Sequence, residues 1–139
     1  MRRVVVTGIG LLTTLGNNKE DSWKNLIKCK SGIKKVDQFD VSELPCKIAG
    51  YLSNNPEDEN YFNSQNHIDK RDIKRNDRFI QYGLVAAKMA VEDANLNDIS
   101  DEKKLKVGVS VGSGIGGLET IYDGALTINE KGVRKLSPF

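Results

Sequence analysis

An α/β fold is what this sequence predicts, on three observations. Residues 107–111 form an apolar, largely β-branched run, Val107-Gly108-Val109-Ser110-Val111. The run stops in Gly112, Gly114, Gly116 and Gly117 before a helical pattern opens at Leu118. That is the pattern of a buried strand feeding a tight turn and a helix, a junction where backbone N–H groups are open and glycine lets a partner approach closely. Residues 2–7 repeat the β-branched pattern and stop at Gly8, while helical periodicity fills much of the chain between the two runs.

Taken in order, Arg2 to Thr7 reads as a buried first strand. Asn17 or Asn18 caps a helix whose Trp23, Leu26 and Ile27 share a face, and Ser31-Gly32 supplies a stop signal. Cys46 to Leu52, with Ile48, Ala49 and Tyr51, reads as a second strand. Residues 53–65 are polar, with Asn54-Asn55-Pro56 and no apolar cluster before Tyr61-Phe62, and read as a surface loop or short lid. From about Asp72 to Leu96 the spacing predicts one long helix with the stripe Ile80, Leu84, Ala87, Val91 and Ala94. Gly83, Ala86 and Ala90 lie beside that stripe, so the helix is expected to pack tightly and to be largely buried beyond its first turns. A polar connection through Asp98, Ser100 and Asp101 leads to the glycine-rich strand and turn. The last helix carries Leu118, Ile121, Tyr122, Ala125 and Ile128 on one face and ends at Gly132.

Composition narrows the function. The chain has 139 residues, a formal net charge of +2, one histidine and two cysteines. One modest core is the default at this length. The near-balanced charge gives no reason to expect nucleic acid or an anionic membrane as partner, and no apolar run reaches spanning length. Cys29 and Cys46 form no metal-binding spacing with His67, so free thiols, a reducing cytoplasmic setting and no metal are expected. The ending on Ser137-Pro138-Phe139 reads as cut rather than frayed, and truncation is expected.

Two motifs in the glycine stretch fail on context. Gly112-Ser113-Gly114-Ile115-Gly116-Gly117 satisfies G-x-G-x-x-G, but the ribose-binding acid about 20 residues on would fall at Ser137-Pro138, with no carboxylate and no strand. Gly108-Val109-Ser110-Val111-Gly112 satisfies G-x-S-x-G. Ser110 lies inside the apolar run, however, and the sole histidine precedes it, against the order a hydrolase needs. Cys29, at a helix C-terminal end, meets the negative pole of the dipole, which disfavours a thiolate. Both cysteines read as structural and His67 as a solvated loop residue. Arg71, Lys74, Arg75 and Arg78 fall on one helical stripe, with Asp69, Asp72 and Asp77 interspersed as for an ordinary salt-bridged surface. Arg134-Lys135 adds a second basic spot. Without interleaved aromatics, these suit a small acidic protein better than nucleic acid.

The order and spacing of several segments carry a resemblance. They are Arg2-Arg3-Val4-Val5-Val6-Thr7-Gly8-Ile9-Gly10 with Leu15-Gly16; Ser31-Gly32-Ile33; Asp77-Arg78-Phe79-Ile80-Gln81-Tyr82-Gly83; Gly112-Ser113-Gly114-Ile115-Gly116-Gly117-Leu118; and Arg134-Lys135-Leu136-Ser137-Pro138-Phe139. From Arg2 to Phe139 the chain closely resembles the amino-terminal third of the β-ketoacyl-acyl carrier protein synthase II family of elongating condensing enzymes, least so at residues 53–65. The resemblance implies part of the first half of a thiolase-like fold, a mixed sheet covered by helices, in a homodimer. It implies decarboxylative Claisen condensation of an acyl thioester with malonyl-acyl carrier protein, without a cofactor.

The family's catalytic cysteine, two histidines and lysine would lie beyond residue 139, so no catalytic residue is expected within this chain, and residues 1–139 are expected to be an incomplete amino-terminal portion. By the same resemblance Ile115 would line the acyl pocket. Arg71, Lys74, Arg75, Arg134 and Lys135 would meet the acidic helix of an acyl carrier protein bearing phosphopantetheine-linked acyl and malonyl groups. Arg78 has no such counterpart. Two alternatives stay open at this point: a condensing enzyme of polyketide assembly, and a stand-alone carrier-binding domain without catalysis.

Overall fold

Helix signals and short-range turns dominate what forms in the computed structural model, which describes residues 1–136. In chain order the elements are α1 (Lys19–Ile27), β1 (Ile33–Lys35), β2 (Ile48–Gly50), a 3₁₀ turn (Ser64–Asn66), α2 (Lys70–Arg75), α3 (Arg78–Asp93), α4 (Asp101–Lys104), α5 (Leu118–Lys131) and a 3₁₀ turn (Val133–Lys135). The sheet has two antiparallel strands, with Ile33 opposite Gly50 and Lys35 opposite Ile48. The chain divides into two units. The first comprises residues 1–63 with 86–98, and the second residues 64–85 with the chain from Ile99 onward.

In the first unit, α1 starts where Asn18 accepts a hydrogen bond from the Asp21 N–H at 2.8 Å, an N-cap as expected. It ends before Ser31-Gly32. Cys29 adopts φ +55°, its N–H bonds to the Leu26 carbonyl, and the Lys30 N–H reaches the Asn25 carbonyl. This is the Schellman arrangement with cysteine in the place glycine usually holds. The same device ends α3 at Asn95, φ +52°, where the Leu96 N–H reaches the Val91 carbonyl.

The buried face of α1 is polar. Ser22 donates to the Gly16 carbonyl at 3.1 Å and the Asn25 amide to the Leu15 carbonyl at 2.6 Å, while Trp23, Leu26 and Ile27 are exposed. The polar segment at residues 53–65 is mostly irregular and partly exposed, as expected of a surface loop, and it is tied down at several points. Phe62 and Ser53 are buried, the Phe62 N–H bonds to the Ser53 carbonyl, and the Asn17 and Asn60 amides bond across to Tyr61 and Thr14, each at 2.7 Å. Side-chain amides supply here what apolar contacts do not.

Four expectations require correction. Residues 2–7 form no strand, and neither does the run 107–111; Val4 is 92% and Val109 88% exposed. A strand exists only through the neighbour that pairs with it, and among the described residues neither run has one; the sheet formed there is the antiparallel pair β1–β2. Second, β1 itself went unpredicted, since three residues show no readable period, and the strand expected at residues 46–52 shortens to Ile48–Gly50.

Third, the long helix is two helices, α2 and α3, separated at Asn76, whose φ −119° and ψ 132° are extended. Ile80, Leu84 and Val91 are exposed, and within α3 only Gln81 and Val85 are buried. What does pack on α3 is its small-residue side. A Cβ at Gly8 would strike the Ala90 carbonyl and Ala94, and one at Gly10 would strike the Ala86 carbonyl. Fourth, the connection after α3 contains a short helix, α4, following Ser100. The last helix ends as expected at Gly132, φ +80°, but its face of Leu118, Ile121, Tyr122, Ala125 and Ile128 is exposed.

Candidate functional site

All the candidate site residues fall in the second unit. Arg71, Lys74 and Arg75 lie on α2, three and four residues apart, hence on one helical face, and all three are exposed. Among the described residues Arg71 and Lys74 take part in no salt bridge with the interspersed acids. Arg78 opens the next helix rather than continuing the stripe. Arg134 and Lys135 are exposed on the 3₁₀ turn after α5, where Leu136 folds back to 3.9 Å from the Cβ position of Gly124. The end of that motif, residues 137–139, lies outside the described residues.

The break between α2 and α3 is held from within. The buried Gln81 amide donates to the carbonyls of Asn76 at 2.7 Å and Ile73 at 3.2 Å, satisfying groups that the end of α2 would otherwise leave open. Asp77 then turns its carboxylate toward the glycine-rich stretch, where the Thr120 hydroxyl donates to it. A cleft of about 350 Å³ opens here, lined among others by Lys74, Arg75, Asp77, Gln81 and Thr120. Asp77 and Gln81 were not singled out from the sequence as site-building residues. The available signal was Asn76-Asp77, a pair that favours turns and caps over helix interior.

Ile115 sits at the tip of the turn between residues 113 and 116, 71% exposed. The turn closes on itself through the Gly116 N–H, which bonds to the Ser113 hydroxyl oxygen at 3.1 Å. Gly116 has φ +83°, a backbone conformation that favours glycine, and its Cβ position lies 3.6 Å from the Phe79 ring.

Cys29 and Cys46 are exposed and unpaired by disulfide, and His67 is exposed just after the first 3₁₀ turn. Among the described residues no group of three His, Cys, Asp or Glu side chains could hold a metal ion, and no helix is long and apolar enough to cross a membrane. Among the described residues the titratable groups with displaced pKa values lie in the first unit. Lys34 bonds Asp58 at 2.7 Å and stands 4.4 Å from the Tyr51 ring centroid. Its hydrogen bond holds the Asp58 carboxyl below its ordinary value, while the same bond holds Lys34 above its own. Lys19 and Asp93 shift each other in the same senses, chiefly through their hydrogen bond.

Comparison with known proteins adds a family to this geometry. The family described as "Beta-ketoacyl synthase, N-terminal domain" matches residues 1–139. The 3-oxoacyl-[acyl-carrier-protein] synthase 2 of Vibrio cholerae serotype O1 is 42% identical over 138 residues, covering 99% of this chain. The proteins of the same name from Staphylococcus aureus strain N315 and Vibrio harveyi are 43% and 42% identical over the same length. In each case the chain spans 31% of the relative's own length. Helices with a small antiparallel sheet fit the amino-terminal half of the thiolase-like ketoacyl synthase domain. On the match across its whole length, the chain belongs to the β-ketoacyl synthase N-terminal domain family.

Proposed function

We propose that this chain is the amino-terminal portion of a condensing enzyme that elongates fatty acyl chains. In the reaction, malonyl-acyl carrier protein loses carbon dioxide, and the carbanion so formed attacks the carbonyl of an acyl thioester. A carbon–carbon bond forms, the thiol leaves, and the product is 3-oxoacyl-acyl carrier protein. The observation that carries this reading is identity of 42–43% across 138 residues to proteins named for that synthase. The chemistry rests on residues outside residues 1–139, and the chain by itself is inactive. Its exposed apolar faces on α1 and α5 and the unpaired runs 2–7 and 107–111 support a role as part of a larger fold.

Within that enzyme Arg71, Lys74, Arg75, Arg134 and Lys135 dock the acidic acyl carrier protein, and Ile115 lines the acyl pocket. Arg71 and Lys74, exposed and in no salt bridge among the described residues, support the docking role, because such a cation is available to an incoming carboxylate. In this reading the full-length protein is a homodimer, on the family resemblance, and cytoplasmic, on its two free thiols. The test is to express the full open reading frame and incubate it with acyl- and malonyl-acyl carrier protein. A 3-oxoacyl product two carbons longer, detected by mass spectrometry, is expected. A folded full-length protein that consumes neither substrate would overturn the reading.

A further inference from the structure

We propose that Asp77 is a positioning residue that ties the glycine-rich turn carrying Ile115 to the end of the basic helix α2. Two contacts reach that turn and its following helix from the residues around the start of α3, and one of them depends on the absence of a side chain. The Asp77 carboxylate accepts the Thr120 hydroxyl and lies so close over Gly117 that a Cβ there would overlap its Oδ2. The Phe79 ring lies over Gly116, with Cζ 3.6 Å from the Cβ position, an ordinary van der Waals distance.

On its other side Asp77 follows directly on Asn76, whose carbonyl the buried Gln81 amide holds at 2.7 Å. The path from Lys74 and Arg75 to Ile115 is therefore short and made of named bonds: Gln81 sets the break after α2, the break aims Asp77, and Asp77 sets where α5 and its preceding turn begin. Gly117 at the cap of α5 has no side chain of its own with which to cap the helix. A carboxylate also suits that position electrically, at the positive end of the α5 dipole.

The consequence for acyl selection rests on the condensing-enzyme reading; the contact itself does not. The full-length protein should be compared with its Asp77→Ala, Asp77→Asn and Thr120→Val variants. Loss of one such hydrogen bond corresponds to about a fivefold rise in local opening. Amide hydrogen exchange over residues 113–120 should rise by about that factor in Asp77→Ala and Thr120→Val. It should stay near the parent rate in Asp77→Asn, whose amide oxygen still accepts the Thr120 hydroxyl. In condensation assays, kcat/KM for long acyl donors should fall several-fold relative to short ones in Asp77→Ala and recover in Asp77→Asn. Unchanged exchange at residues 113–120 would overturn the proposal, as would an equal loss on all chain lengths accompanied only by a lower Tm. A parent protein without condensing activity would defeat the functional reading, while the exchange comparison would still decide the Asp77 contact.

Discussion

Two segments of this chain look alike in sequence and end up held by different means. Residues 2–10 and residues 107–117 each run from β-branched residues into glycines, and neither pairs as a strand. In the first, Gly8 and Gly10 press their backbone against Ala86, Ala90 and Ala94 of α3, and the Ile9 N–H bonds to Asp93 at 2.9 Å. In the second, a Cβ at Gly108, Gly112 or Gly114 would meet nothing within 4 Å, while at the end of the stretch Phe79 and Asp77 cover Gly116 and Gly117. The lesson is that a glycine after a β-branched run marks a close approach without saying what approaches. One stretch is seated on a helix surface, while the other leaves its middle open and Ile115 exposed at the tip of its turn.

The most damaging way to probe this difference is to fill the glycines. In the full-length protein Gly10→Val should cost roughly 2–3 kcal/mol, because the new atoms meet backbone of α3 that cannot yield. Gly114→Ala, with open space around it, should change stability by no more than about 0.5 kcal/mol. Denaturant unfolding measures both, and equal costs would erase the comparison.

A second probe asks whether the open turn is open for a purpose. With Ile115 lining an acyl pocket in the full-length enzyme, Ile115→Phe should lower kcat/KM for the longest acyl donors by about tenfold or more, with short donors nearly unaffected. A uniform loss across chain lengths would indicate overpacking and misfolding.

A smaller effect is expected at α2. Lys74→Glu with Arg75→Glu should raise KM for carrier-bound substrate several-fold through slower association, and leave a small thioester mimic nearly unchanged. Added salt should shrink the difference, because exposed charges are screened. Equal losses on both substrates would return the stripe to an ordinary helix face.

The smallest effect concerns the first unit alone. Asp58 is held below its ordinary value of 3.8 by its bond to Lys34, so this pair stabilises the fold above that pH. The contribution is lost as pH falls through the depressed folded value. Lys34 is raised above 10.5, and its contribution is complete below that pH and is lost as pH rises through the higher folded value. Hydrogen exchange of residues 53–62 in the full-length protein should rise at both extremes, and Lys34→Met should flatten both arms.

How much of this was legible beforehand varies with the range of the interactions. The Asn18 cap, the stop at Gly132 and the turn around Ile115 depend on neighbours a few residues away, so local rules found them. The stops at Cys29 and Asn95 were harder, since glycine is the usual residue in the left-handed position and neither site has one. The break at Asn76 was overlooked because apolar spacing runs on smoothly across it. What breaks the helix is Gln81, whose amide takes two carbonyls at the end of α2. The role of Asp77 lay out of reach for another reason: its partners Gly117 and Thr120 are 40 and 43 residues away.

The sequence by itself determined where the longer helices lie, where several of them begin and end, and, through its resemblance, which family the chain belongs to. Only the tertiary structure decided which faces are covered. Periodicity assigned the Trp23, Ile80 and Ile121 faces to a core, yet those residues are exposed, while Ser22, Asn25 and Gln81 are buried. The physical reason is that hydrogen-bond partners and close backbone approaches are set by distant residues. An apolar stripe states only that a face gains by burial, and whether it is buried depends on what else is there to cover it.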